Sequence, residues 1–134
     1  MASEILTSCP PYLLDGACMV VGTFLLFTGV LGTFISVPKL AEMYGLGSAT
    51  PETWALMPAA TGRNLGAGIF VWIMTLLGEQ KVLGIFLICW TWAGIADMKV
   101  LYNHPKGEEA NIGVNIRLIA FLGVLGALLI SCAP

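Results

Sequence analysis

Charge is scarce in this sequence. Lys and Arg together number 6 and Asp and Glu 8, so charged residues make up 10% of the 134, where a water-soluble domain usually carries about 25%. Beside an apolar fraction of 57%, that deficit excludes an ordinary soluble domain. The net charge is -2 with no basic block, so nucleic-acid binding has no electrostatic footing. Histidine is nearly missing: His104 is the sole one, in a loop before Pro105, and reads as a surface residue rather than a catalyst. Cys9, Cys18, Cys89 and Cys132 make no CxxC pair. Zinc spacing is therefore absent, and a quinone-linked thiol–disulfide enzyme would lack its close cysteine pair. Cys18 and Cys89 read as apolar packing residues. A cleavable leader is not visible either. Glu4 and Asp15 stand where a basic segment would be needed, and Pro10-Pro11 precede the first apolar run, which is expected to stay as a helix.

What is present is long apolar runs. A spanning helix needs about 20 mostly apolar residues. Residues 16–38 hold no charge and are bracketed by Asp15 and Lys39, with Pro38 as the stop. Residues 39–53 read as a polar loop, and Thr50-Pro51-Glu52 as a helix start: Thr caps, Pro suits the first helical position, and Glu favours the positive end of the dipole. The second span is expected over 54–77, kinked near Pro58. Gly78-Glu79-Gln80-Lys81 is a tight turn, 82–102 the third span, 103–111 a second polar loop, and 112–132 the fourth span. The expected fold is an all-α membrane protein, a single four-transmembrane-helix bundle over residues 1–134. Glycines recur inside the spans, including the GxxxG pair Gly62 and Gly66, and most read as points of close helix packing. The abundance of glycine and alanine on several faces suggests a homodimer or larger oligomer.

An even number of spans puts both termini and the 78–81 turn on one side, and the two larger loops on the other. The loop side holds Lys39, Lys99, Lys106 and Arg117, the opposite side Lys81. The positive-inside rule then places the larger loops in the cytoplasm, and the endoplasmic reticulum is the expected membrane.

Charges inside a span cost roughly 2.5–3.5 kcal/mol each at a helix centre, so Arg63 and Asp97 require a reason. Arg63 lies about 16 residues before the turn between spans two and three and Asp97 about 17 after it, so at 1.5 Å per residue both sit ~25 Å from that turn. Equal depth on adjacent antiparallel helices predicts an Arg63–Asp97 ion pair. Helical phase puts Trp90, Ala93 and Gly94 on the face of Asp97, with Lys99 opposite and able to snorkel. Gly66, Ala67 and Phe70 share the face of Arg63, with Asn64 one step round. On the last span Asn115 is expected to face inward and Arg117 to anchor at the interface. The candidate site is thus Arg63, Asn64, Asp97 and Asn115, roofed by Glu42 and Tyr44 and floored by Trp90 and Phe70. The competing reading is a buried salt bridge that only fixes helix register.

The segment Gly62-Arg63-Asn64-Leu65-Gly66-Ala67-Gly68, followed by Ala96-Asp97, resembles a domain-of-unknown-function family of small four-helix membrane proteins related to the DoxX-like proteins. The resemblance covers roughly residues 17–131. It implies an Arg-Asn pair followed by small residues on the second span, and an aspartate after a small residue near the end of the third. Fungal members of that family occur in clusters for polyketide and terpenoid products. The resemblance therefore implies a tailoring enzyme of secondary metabolism acting on a lipophilic intermediate, with epoxide hydrolysis or epoxide-opening cyclisation as the expected chemistry.

The residues are compatible with that chemistry. An epoxide opens when a carboxylate activates water or attacks carbon and an acid protonates the oxygen. Asp97 is the candidate base or nucleophile and Arg63 its orienting partner. Tyr44, Tyr102 or Glu42 could supply the proton, and the apolar walls would hold a chain delivered from the bilayer. No metal, haem or nucleotide motif is visible, so no cofactor is expected; the expected partners are a lipophilic small molecule and membrane lipid. Two other classes remain open: a carrier for a small lipophile, which would have to oligomerise, and a non-catalytic membrane subunit with a structural Arg–Asp pair. The span count has a direct check. Single cysteines at Ser3 and Ser131, in a chain whose own cysteines are replaced, should be labelled by a membrane-impermeant thiol reagent from one common side.

Overall fold

The computed structural model describes residues 10–43, 50–103 and 109–133. Among them every regular element is helical: α1 (Pro11–Val30), which runs on into a π-helical turn (Leu31–Ile35), α2 (Val37–Met43), α3 (Pro51–Leu77), α4 (Gln80–Asn103) and α5 (Glu109–Cys132).

Local sequence explains the boundaries. Pro11 and Pro51 each begin a helix, where the missing N–H costs nothing. The first helix ends earlier than Pro38. Its last turn widens, the Ser36 N–H reaches back to the Leu31 carbonyl (2.9 Å), and Ser36 itself is extended (φ -157°, ψ 93°). Pro38 falls in the first turn of α2 instead, a tolerated place for a residue without an N–H. Part of the expected 39–53 loop is therefore helix. Leu40 of α2 is completely buried, seated against Gly32 and near Thr61. The α3 helix stops at Gly78, whose left-handed conformation (φ 72°) only glycine adopts freely. The Glu79 N–H then closes on the Met74 carbonyl (3.0 Å), a common glycine-ended helix stop. α4 and α5 begin at Gln80 and Glu109, two and three residues before the expected 82 and 112.

The helices pack as two hairpins. α1 lies along α3, and α4 along α5, while contacts between the two pairs are sparse. Glycine sets both close approaches. A Cβ on Gly29 would lie 2.6 Å from the Leu65 backbone N, and one on Gly68 2.9 Å from the Gly22 carbonyl. In the second hairpin a Cβ on Gly84 would lie 2.6 Å from the Gly126 carbonyl, and Gly94 packs under Ile119. The expected GxxxG pair behaves differently. Neither Gly62 nor Gly66 has anything within 4 Å of a built Cβ.

Leu14, Cys18, Val21 and Leu25 of α1 join Ala67 and Val71 of α3, Leu83 and Leu87 of α4, and Leu125 and Leu129 of α5 in one core. This core sits toward the end that holds the α3–α4 turn. Gln80, at that turn, donates to Asp15 of α1 (3.1 Å). Burial on the second hairpin then ceases. No residue of α4 between Ile88 and Lys99, or of α5 between Ile112 and Val124, is buried. The two hairpins are closed together at the turn end and part toward the other.

Among the described residues, three stretches are long and apolar enough to cross a membrane: Pro11–Ile35, Gln80–Lys99 and Ile112–Cys132, with mean hydropathy 2.1, 1.4 and 2.1. Large apolar side chains such as Val20, Phe27, Ile85, Trp92 and Val124 point outward. The chain is an integral membrane protein. α3 is as long as the others but falls outside that set, since Glu52, Pro58, Thr61, Arg63 and Asn64 lower its hydropathy.

The glycine contacts make a stability prediction. Gly84→Leu should destabilise the fold by about 1–3 kcal/mol through overpacking. Gly62→Ala, which meets open space, should be neutral or gain up to about 1 kcal/mol from helix propensity. Unfolding in mixed detergent micelles, followed by circular dichroism, measures both.

Candidate functional site

A guanidinium and a carboxylate cross the gap between the hairpins. Nη2 of Arg63 on α3 donates to Oδ1 of Asp97 on α4 at 2.5 Å. This is the contact that equal depth on antiparallel helices predicts. Asp97 lies near the far end of the Gln80–Lys99 stretch. The two side chains remain 39% and 38% exposed, so the pair is not sealed. Among the described residues no second donor is recorded on Asp97.

Aromatic rings line the gap on the core side of the pair. Phe70 of α3 stands 4.6 Å from Phe86 of α4, and Phe86 lies stacked 5.5 Å from Trp90. Phe70 and Trp90 each lie seven residues from the charged residue on their own helix, two turns closer to the core. Phe86 and Trp90 in turn lean on the buried core, which fixes the far end of this wall. The arrangement is an ion pair at the rim and an aromatic face beneath it, on two helices that hardly touch elsewhere.

The other candidate residues are distributed differently. Asn64 is buried and turned to α1, where its amide donates to the Thr28 hydroxyl (3.4 Å). Thr28 in turn donates to the Phe24 and Leu25 carbonyls, both at 3.1 Å. Asn64 thus closes the α1–α3 seam rather than lining the gap with Arg63. A second polar contact in that seam, Thr33 with Thr61 at 3.0 Å, involves the π-helical turn. Sequence reasoning passed over Thr28, Thr33 and Thr61, although hydroxyl residues in apolar helices commonly hydrogen-bond across an interface. Asn115 is half-buried on α5 and Arg117 exposed; Asp97 is half-buried and Lys99 exposed. These faces agree with the expected helical phase. Tyr102 is 76% exposed. Tyr44 and His104 lie outside the described residues, as does the Glu42 side chain, although the Glu42 backbone belongs to α2. Cys18 is buried in the core, and Cys89 is exposed on α4. Among the described residues no three His, Cys, Asp or Glu side chains converge as a metal site.

Chemically, the gap offers an anchored carboxylate oxygen, a cation that can also bind oxygen, and an aromatic face for an apolar body. An anionic or hydroxyl-bearing group would meet Arg63; a group that gives up a proton would meet Asp97.

The family model described as Domain of unknown function (DUF4267) matches residues 22–129, most of the chain, with Arg63, Asp97 and the rings beside them inside the matched segment. The chain belongs to that family. No curated protein and no solved structure matches it.

The pair's energetic linkage can be read from a double-mutant cycle. Arg63→Ala and Asp97→Ala should each destabilise the fold, and the double variant should recover about 1 kcal/mol of coupling. Additive losses in micellar unfolding would show that the two charges do not support each other.

Proposed function

We propose that this member of the DUF4267 family crosses the bilayer four times, with α3 as the fourth span, and acts without a cofactor on a lipophilic polyketide or terpenoid. The reaction is epoxide hydrolysis or epoxide-opening cyclisation, with Asp97 as base or nucleophile and Arg63 as its orienting partner. α3 has 27 residues, ~40 Å at 1.5 Å per residue, ample for a hydrocarbon core of about 30 Å. It also lies along α1, itself long and apolar enough to span. On this reading the larger loops face the cytoplasm from the endoplasmic reticulum membrane.

The observation that carries the reading is the half-exposed Arg63–Asp97 pair set over the Phe70, Phe86 and Trp90 rings. The pair is not sealed between the helices, so a ligand lying on the aromatic wall can reach both charges. A carrier would need a polar route leading away from the pair. The polar contacts recorded near its depth, Asn64 with Thr28 and Thr61 with Thr33, lie in the α1–α3 seam instead.

In hydrolysis, the Asp97 carboxylate takes a proton from water as the water oxygen bonds to an epoxide carbon. The C–O bond breaks, its electron pair stays on the epoxide oxygen, and that oxygen takes a proton from an acid. In cyclisation a substrate hydroxyl replaces the water. In the covalent variant a carboxylate oxygen bonds to carbon, and water later cleaves the ester. Tyr102 points about 140° round the helix from Asp97. Of the three candidate acids, Glu42 and Tyr44 are therefore preferred to Tyr102 as the proton donor.

Microsomes containing the full chain and supplied with candidate epoxides provide the test. Asp97→Asn keeps the shape and removes the basic oxygen. It should lower turnover by about a hundredfold or more while expression, membrane insertion and helix content stay unchanged. Arg63→Ala should lose activity and stability together, because it leaves a carboxylate unpaired. Near-normal turnover by a folded Asp97→Asn variant would overturn the mechanism.

A further inference from the structure

From the geometry we infer that the ligand of the Arg63–Asp97 site arrives sideways from the bilayer, between α3 and α4, over a sill formed by Gly62 and Gly66. The ligand is a single-headed amphiphile, whose one oxygen-bearing end meets the ion pair and whose apolar tail lies along Phe70, Phe86 and Trp90. The inference rests on reading that pair as a functional site, and adds the route and the ligand's layout.

Three independent features of the fold converge on it. The first is the parting of the hairpins. Between Ile88 and Lys99 of α4 and between Ile112 and Val124 of α5 no residue is buried, so toward the pair the second hairpin meets α3 through the Phe70–Phe86 rings and the ion pair rather than along a buried seam. The second is the behaviour of the glycines. Gly22, Gly29, Gly68, Gly84, Gly94 and Gly126 are pressed against a neighbouring helix, whereas Gly62 and Gly66, like Gly16 and Gly113 on the other hairpin helices, have nothing within 4 Å of where a Cβ would stand. Helical phase sets Gly66 about 60° from Arg63 and about 40° from Phe70, on the lip of the gap, with Gly62 one turn beyond on the lipid side. Any side chain there would narrow the opening. The third is the sequence of chemistries down the gap. The half-exposed ion pair is followed, two helical turns or ~10 Å deeper, by the stacked rings, and then by the closed core. Such a slot satisfies one polar group at its rim and accepts only apolar surface below it. Its outer side is bounded by residues that face lipid, such as Ile69 and Ile73. A ligand already dissolved in the bilayer therefore reaches the pair without crossing the polar loops.

The test uses the full chain in phosphatidylcholine vesicles, with a long-chain fatty alcohol bearing a tail diazirine as the probe. After illumination, mass spectrometry of the peptides maps the attached label. Label should concentrate on the α3 and α4 segments carrying Phe70, Phe86 and Trp90. Gly66→Leu should reduce that label about tenfold without lowering the melting temperature. Ala127→Leu, on the exposed side of α5, should leave it unchanged. Uniform labelling of every outward face, or label at the rings that survives Gly66→Leu, would overturn the inference. So would a dimer in detergent that Gly66→Leu dissociates with no label at the rings, because a second copy would then cover the lip. Binding is read without turnover, so the two proposals fail separately. Ring label lost in Gly66→Leu but no turnover of any epoxide supports the route and counts against the chemistry. Turnover lost in Asp97→Asn but untouched in Gly66→Leu, with its label, supports the chemistry and sinks the route.

Discussion

Lipid tails are as apolar as leucine, so a helix gains little by exchanging lipid for another apolar helix. What holds membrane helices together is close approach and the few polar contacts it permits. That constraint accounts for most of this molecule. Glycines lie at the recorded backbone-close contacts within each hairpin, Gly29 and Gly68 in the first, Gly84 and Gly126 in the second. Hydroxyl and amide contacts supplement the α1–α3 seam. Between the hairpins, where none of these glycine contacts falls, contact is sparse.

The open gap gives the charged pair its setting. Two charges among apolar helices cost free energy unless each finds a partner, and Arg63 and Asp97 find each other across the hairpins. The bridge thus acts as a strut at the end of the molecule where packing between the hairpins is sparse. A strut that remains partly exposed can take a further hydrogen bond. The same desolvation cost that forces the charges to pair makes each hold to any hydrogen-bonding group that reaches it.

How much of this could be read in the sequence follows from which forces are local. The helices, the Gly78 turn and the meeting of Arg63 with Asp97 were legible, because helix rise and phase are nearly constant and the turn fixes the zero of depth. The break at Ser36 was not. Pro38 is the obvious stop, yet the π-helical turn ends the helix two residues earlier so that Leu40 can settle over Gly32. The role of Asn64 was also hidden: it adjoins Arg63 in sequence but stands about 100° away, and the partner that decides its direction, Thr28, is on another helix. Gly62 and Gly66 carry the strongest packing signature in the sequence and take no part in packing. Spacing of small residues reports that a helix could approach, and the placement of the hairpins decides whether one does.

The pairing of the helices bears on how the chain assembles. Each hairpin joins helices that follow one another among the long ones, so the main contacts are near neighbours along the chain, an arrangement that favours fast folding. The first hairpin can close once α3 has been made, while α4 and α5 are still in the ribosome. The second can form on its own through the Gly84–Gly126 crossing. Only the shared core and the Arg63–Asp97 bridge require both. Docking of the two hairpins is thus the step on which the shared core, the bridge and the gap beside it all depend.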